Sequence, residues 1–306
     1  MSLPFPSALV PASSSPVDRE LSALIDTSSR VEKLPIPAAF RVVGKSEGLQ
    51  VVIFGSIHGD EPAGYLAIKE LLTQFASGEL QLQRGFLTLA VGNELGLDRG
   101  VREVEHNLNR LFKPDLKSPP RCYEERRAEE LKGLLEGAAY MLDLHATSEP
   151  TRPFIMCEAP VLEEAREMGF ARIVMGWSDL GDETLGGDTE SYFNSIGGKG
   201  FTLESGQRDA ADGPVNAIDA ARRFLSHTGL LAYEAGGDDR PAVYKLFTSI
   251  KVDEPTFRYS RPFSSFDELA EGELIGSDIG KVHHAPEECV VIMPSKKEFM
   301  LARRVQ

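Results

Sequence analysis

Residues 49–75 read LQVVIFGSIHGDEPAGYLAIKELLTQF, and the change of periodicity inside this stretch decides the fold. Leu49 to Gly55 is a short apolar, β-prone run, the pattern of a buried strand. Pro62 to Phe75 then places apolar residues at helical spacing. The join between them, GSIHGDEPAG at 55–64, lies where a buried strand ends and a helix begins, which is where open α/β sheets bind ligands.

The alternation continues along the chain. FLTLAVG (86–92) reads as a strand followed by a loop, YEERRAEELKGLLEGA (123–138) as a helix and AYMLDLH (139–145) as a strand. RPFIMCE, ARIVMG and GFTLE are further strand patterns, with helices predicted near Val161 to Met168, near Thr184 to Asn194 and from Gly213 to about Leu231. Strands alternating with helices imply an α/β sheet. After Gly236-Gly237 the texture changes to short β-prone stretches separated by turn residues, AVYKLFTSIKV, TFRYS, GELIGSDIGKV and ECVVIMP. The expected organisation is a flexible Pro-, Ser- and Ala-rich tail over 1–17, one large domain over 18–239 and a small β-rich domain over 240–306, with no solenoid repeat.

The bulk composition narrows the function classes. Across 306 residues, 33 Lys and Arg face 47 Asp and Glu, giving a formal charge of −14. That field repels a phosphate backbone, so a nucleic-acid partner is not expected. No apolar run approaches the roughly 20 residues that cross a bilayer, and no cationic leader precedes a hydrophobic segment. A cytoplasmic protein without a membrane partner is the expectation. Cys122, Cys157 and Cys289 are widely spaced, odd in number and without a CxxC, which points to buried free thiols.

Four clusters carry candidate chemistry. His58 and Glu61, three apart in a tight turn, can aim an imidazole nitrogen and a carboxylate oxygen at one zinc ion. Alone, HxxE is a common loop pattern. His145 ends another apolar strand and is a candidate third ligand, leaving a fourth position for water. Asp143, on the same face of that strand, is either an orienting partner for a ligand imidazole or a strand-end carboxylate bonded to backbone amides. Arg102 and Arg110, in REVEHNLNRLF, are guanidinium forks that suit an anionic substrate, although arginines in isolation are usually paired with local acids. Glu204 ends the GFTLE strand, where a partly desolvated carboxylate can act as a general base.

With HGDE, NLNRLF, YEERRAEEL, DLHAT and TLESG in this order, the chain resembles the succinylglutamate desuccinylase/aspartoacylase family of zinc-carboxypeptidase-like hydrolases. The resemblance implies a mixed sheet flanked by helices, with a small C-terminal β-rich domain. It implies one Zn2+ per chain held by His58, Glu61 and His145, with Glu204 activating water. Arg102 would polarise the scissile carbonyl, and Asn109 and Arg110 would bind the carboxylate of a small-molecule substrate. The implied activity is hydrolysis of an amide bond in an N-acyl amino acid. Two positions depart from the family pattern. Asn107 stands where an acid is common, and Asn194 falls where aspartoacylases place an arginine.

Other classes leave no trace: GxSxG and HExxH are absent, and Gly44-Lys45-Ser46 has Ala39 where a P-loop requires glycine. The alternatives that stay open are carboxypeptidase-type cleavage of a short peptide and a non-catalytic metal- or ligand-binding homologue. A homodimer is the default assembly for such a chain.

Overall fold

The computed structural model describes residues 14–26, 28–114, 119–180, 186–233, 236, 240–252 and 255–305. In chain order its elements are α1 (Pro16–Ile25), β1 (Val31–Lys33), β2 (Ala39–Val43), β3 (Gln50–Gly55), α2 (Pro62–Ser77), β4 (Phe86–Val91), α3 (Glu94–Arg99), α4 (Tyr123–Leu135), β5 (Tyr140–Thr147), β6 (Phe154–Cys157), α5 (Leu162–Glu167), β7 (Arg172–Met175), α6 (Thr189–Ser195), β8 (Lys199–Gln207) and α7 (Gly213–His227). The C-terminal strands follow as β9 (Ala242–Lys251), β10 (Arg258–Tyr259), β11 (Glu268–Leu269), β12 (Leu274–Asp278), β13 (Lys281–His284), β14 (Cys289–Ile292) and β15 (Glu298–Arg304).

Twelve strands form one mixed sheet in the order β1-β2-β4-β3-β5-β8-β6-β7-β9-β15-β14-β11. Its centre is parallel, β4-β3-β5-β8, so the carboxyl ends of β3, β5 and β8 meet along one edge. Strand β3 shows why this centre needs an unbroken apolar run. Val51 and Ile53 face a core shared with α1, α2 and α7, whereas Val52 and Phe54 face a second core shared with α4 and Phe193 of α6. A strand covered by helices on both faces cannot alternate with polar residues.

The sheet edge is brought close to α2 by two glycines. A Cβ on Gly55 would lie 2.6 Å from the backbone of Gly64, and one on Gly64 would lie 2.8 Å from the carbonyl of Leu144. Helix α2 therefore starts almost in contact with the ends of β3 and β5. Arg127 ties α4 to the neighbouring strand end: fully buried, it donates to the carbonyls of Gly92 and Val91 and pairs with Glu130.

The family-like mixed sheet expected from sequence is what the chain adopts. Several elements differ in detail. The segment after β4, read as loop, opens with the short helix α3, capped by the Asn93 side chain on Gly96 N. Of the tail expected over 1–17, residues 1–13 lie outside the described residues. Ser15 is already the cap of α1, accepting from Asp18 N. The boundary expected near residue 240 is not a break in the sheet. Strand β9 runs parallel to β7 and antiparallel to β15, so the C-terminal strands extend the main sheet, and only β10, β12 and β13 form a sheet of their own. Cys157 and Cys289 are buried free thiols, as read, whereas Cys122 is half-buried. No described helix is long and apolar enough to cross a membrane.

Candidate functional site

The loop after β3 and the end of β5 converge on one carboxylate. Glu61 Oε1 lies 2.8 Å from His58 Nδ1, and Glu61 Oε2 lies 3.0 Å from His145 Nδ1. All three side chains are buried, and one ligand atom from each falls within 4.8 Å of the others. The Nε2 atoms face away from this point. His58 Nε2 accepts from Arg102 at 2.9 Å, and His145 Nε2 meets Asp143 Oδ2 at 2.8 Å. Asp143 thus holds the imidazole from behind, the geometry of a carboxylate–histidine pair that presents the other nitrogen to a metal.

This donor set fits zinc. Two imidazole nitrogens and a carboxylate are the ligand types of catalytic zinc sites, and their present separations allow contraction around one ion. Their electrostatics agree. Burial opposes ionisation of Glu61, yet the two imidazoles beside it hold its carboxyl well below the usual range. Burial keeps His58 toward its neutral form, with Glu61 opposing. At His145 burial is outweighed by Asp143 and Glu61, which hold the imidazolium well above the ordinary histidine range. The cluster is therefore organised around positive charge at its centre.

The turn that presents His58 depends on a residue absent from the sequence reading. Ser56 is fully buried with φ 54°, a conformation that costs a non-glycine residue about 1 kcal/mol or more. Its hydroxyl donates to the Glu61 carbonyl and accepts from Tyr65 N, which ties both ends of the HGDE turn together. A hydrophobic strand followed by serine carries no signal of this. Only the positive φ reveals it.

Arg102 reaches the cluster, its Nη1 donating to Glu61 Oε1 at 3.0 Å. Its loop is pinned by Glu124, another residue missed as functional although it lies in YEERRAEEL. The fully buried Glu124 carboxylate accepts from the amides of Val104, Glu105 and His106 and from the Asn93 side chain. Glu124→Gln replaces one acceptor oxygen by a donor that faces these N–H groups. Expected results are a loss of roughly 2 kcal/mol in denaturant melts and faster hydrogen exchange at Val104 to His106. Unchanged exchange there would show that the loop does not depend on Glu124.

Asn109 and Arg110 stand on the short helical turn after this loop. Asn109 Oδ1 accepts from Thr189 N, which leaves the amide NH2 to donate. Thr189 Oγ1 donates to Asp143 Oδ2 at 2.5 Å, so one chain of hydrogen bonds links the Asn109 turn, α6 and His145. Glu204 pairs in register with His145 across β5 and β8. Its Oε2 is buried without a hydrogen-bond partner among the described residues, and burial, aided by Glu61 and Asp143 and opposed by His145 and Arg102, pushes its pKa up to about 8.

The seven residues to which the resemblance gives a role line one cavity of about 750 Å³, with Asp143 behind His145 outside the lining. Asn194 is not among the lining residues either. Its Oδ1 accepts from Gly200 N, closing the turn between α6 and β8. Met293 and Ser295 to Lys297, after β14, with Glu298 and Met300 of β15, complete the lining. The C-terminal strands, which the sequence leaves open as a cap over the cleft or an assembly element, thus contribute to the cavity.

Comparison with known proteins identifies the family and the fold. Residues 47–228 match the profile of the succinylglutamate desuccinylase/aspartoacylase catalytic domain. A succinylglutamate desuccinylase of Shewanella baltica (strain OS185) is 28% identical, over 92% of this chain and 88% of the relative. Among solved structures, the succinylglutamate desuccinylase of Vibrio parahaemolyticus superposes with a TM-score of 0.72 at 17% identity, covering 94% of this chain and 95% of the other. An aspartoacylase family protein of Mesorhizobium loti gives a TM-score of 0.64 at 18% identity, covering 92% and 93%.

Proposed function

The chain belongs to the succinylglutamate desuccinylase/aspartoacylase family, and on that premise we propose that it is a zinc-dependent deacylase that hydrolyses the amide bond of an N-acyl amino acid. The observation that carries this reading is the convergence of His58 Nδ1, Glu61 and His145 Nδ1 in the cavity that also holds the unpartnered oxygen of Glu204. A pure binding site has no need of a buried carboxyl beside its metal ligands. The relatives named succinylglutamate desuccinylase support the amide-cleaving class.

His58, Glu61 and His145 would hold the ion, whose Lewis acidity, when bound, lowers the pKa of water from 15.7 to about 7 and polarises a carbonyl. The protein's own residues do the rest. Arg110 and the Asn109 amide group bind the substrate carboxylate, the guanidinium as a bidentate fork. That contact fixes the scissile carbonyl toward Arg102, whose guanidinium stabilises negative charge on the carbonyl oxygen as the tetrahedral species forms. Glu204 takes a proton from the attacking water and returns it to the departing nitrogen, so one carboxyl serves as base and then as acid. His145 and Arg102 oppose the upward shift of Glu204 and favour the carboxylate that the first step requires.

The test is a panel of N-acetyl and N-succinyl amino acids and dipeptides offered to zinc-loaded protein and to protein stripped with a chelator. Hydrolysis of N-acyl amino acids, lost on stripping and restored by zinc, is the expected result. Turnover indifferent to chelation, or cleavage confined to dipeptides, would overturn the reading.

A further inference from the structure

The cavity continues below Glu204 into an acidic end that the proposed chemistry does not use. Thr202 lies two residues before Glu204 on the same face of β8, roughly 7 Å further in at strand spacing. It is paired with Met156 across β6. Its hydroxyl donates to Glu190 Oε2 at 2.7 Å. Asp188 and Glu190 are both more than nine-tenths buried and both line the cavity, as do Met156 and Trp177. Asp188 Oδ1 accepts from Ser191 N, but its Oδ2 is buried with no hydrogen-bond partner among the described residues.

Such an oxygen is costly unless something meets it. Burial lifts the Glu190 carboxyl well above the usual range, against the Thr202 hydrogen bond and with a smaller push from the neighbouring acids Asp188, Glu158 and Asp143. Of the cations that line the cavity, Arg102 is at the metal ligands, Arg208 pairs with Asp60, Lys296 and Lys297 are exposed after β14, and the Arg110 backbone lies against Gly187, next to Asp188.

We propose that the Asp188–Glu190 end of the cleft is a side-chain subsite that selects N-acyl amino acids carrying a cationic ω-amino group, in place of the acidic side chain of a desuccinylase or aspartoacylase substrate. This inference rests on the deacylase reading, which sets the direction of the substrate. With its carboxylate on Asn109 and Arg110 and its amide beside Glu204, the substrate's acyl group and side chain occupy the rest of the cleft, and the end lined by Thr202 is assigned to the side chain. An ammonium there gives Asp188 Oδ2 its missing partner and stabilises an ionised Glu190. The Trp177 indole and Met156 provide an apolar wall for the methylenes, and an aromatic ring near a cation adds attraction. A second carboxylate in the same place would meet two buried acids.

The experiment uses zinc-loaded full-length protein with the Nα-acetyl derivatives of ornithine, lysine, norleucine, glutamate and aspartate. Ornithine or lysine derivatives should exceed norleucine in kcat/KM by at least about tenfold and the acidic pair by more. In Glu190→Gln that preference should fall by about 30-fold, with the norleucine derivative changed by less than about threefold. Asp188→Asn, which keeps the helix-capping oxygen, should fall in the same direction. Preference for an acidic or neutral side chain, or a cationic preference untouched by both substitutions, would overturn the subsite. If no N-acyl amino acid is cleaved, the deacylase reading fails by itself, and calorimetric binding of the free amino acids then decides the subsite. Ornithine or lysine bound more tightly than norleucine and glutamate, and weakened in Glu190→Gln, supports it. Equal binding, or tighter binding of glutamate, overturns it.

Discussion

Glu204→Gln should retain one zinc per chain and lose a factor of about 10² to 10⁴ in kcat, the contribution typical of a positioned general base. The substitution keeps volume and burial while removing the only property the mechanism asks of this side chain. Glu204 is in register with His145 but makes no contact with the three candidate ligand atoms, so metal content is not expected to follow activity. Stability should move the other way. In the metal-free protein, burial and nearby acids raise this carboxyl to about 8, above its ordinary value, so the ionised form is disfavoured by the fold. The sign follows from linkage: stability is greatest below the ordinary glutamate range and declines as pH rises toward the raised value. The melting temperature of metal-free Glu204→Gln relative to the parent should therefore climb between pH 5 and pH 8. Undiminished turnover in this variant would remove Glu204 from the mechanism.

His145→Ala is expected to lose both metal and activity, because it removes one of the three donors and uncovers another group. Asp143 is completely buried, and His145 Nε2 and the Thr189 hydroxyl are its partners at Oδ2, while its Oδ1 has none among the described residues. Deleting the imidazole leaves that carboxyl without its cation, a change that costs about 3–5 kcal/mol in buried pairs. His58→Gln serves as the companion, since the Nε2 side of His58 faces Arg102 where that of His145 faces a second buried acid, and should lose zinc with a smaller loss of stability. Metal analysis after dialysis, read beside the melts, separates the two effects. Stoichiometric zinc in folded His145→Ala would show that the ligand set is wrong.

Much of this arrangement was legible in the sequence because its signals are local. Buried parallel strands show as apolar runs, and the residues that end them, His58, His145 and Glu204, stand just where the pattern breaks. What was not legible depends on long-range packing. Helix α1 begins at Pro16, inside the stretch over 1–17 whose composition suggested a tail, with Ser15 as its cap and Val17 buried. Strands β2 and β15 are ordinary in composition and are fixed by the neighbours they pair with. Ser56 and Glu124 work through a backbone conformation and through amides, neither of which has a residue-type signature. Asn194, which falls where aspartoacylases place an arginine, does not line the cavity, and its side chain closes a turn.

The β14–β15 turn has a consequence for how this architecture diversifies. Every candidate donor and proton carrier lies before residue 205, whereas one wall of the cleft arrives from residues 293–300. Because β9 covers the outer edge of β7 and β15 covers β9, a fragment ending at 239 would present a raw strand edge and is poorly suited to excision or grafting. Insertions or exchanges confined to the final hairpin, by contrast, can reshape what enters the cleft while the reacting groups keep their positions. One wall of the cleft and the reacting groups are thus encoded in separate stretches of the chain.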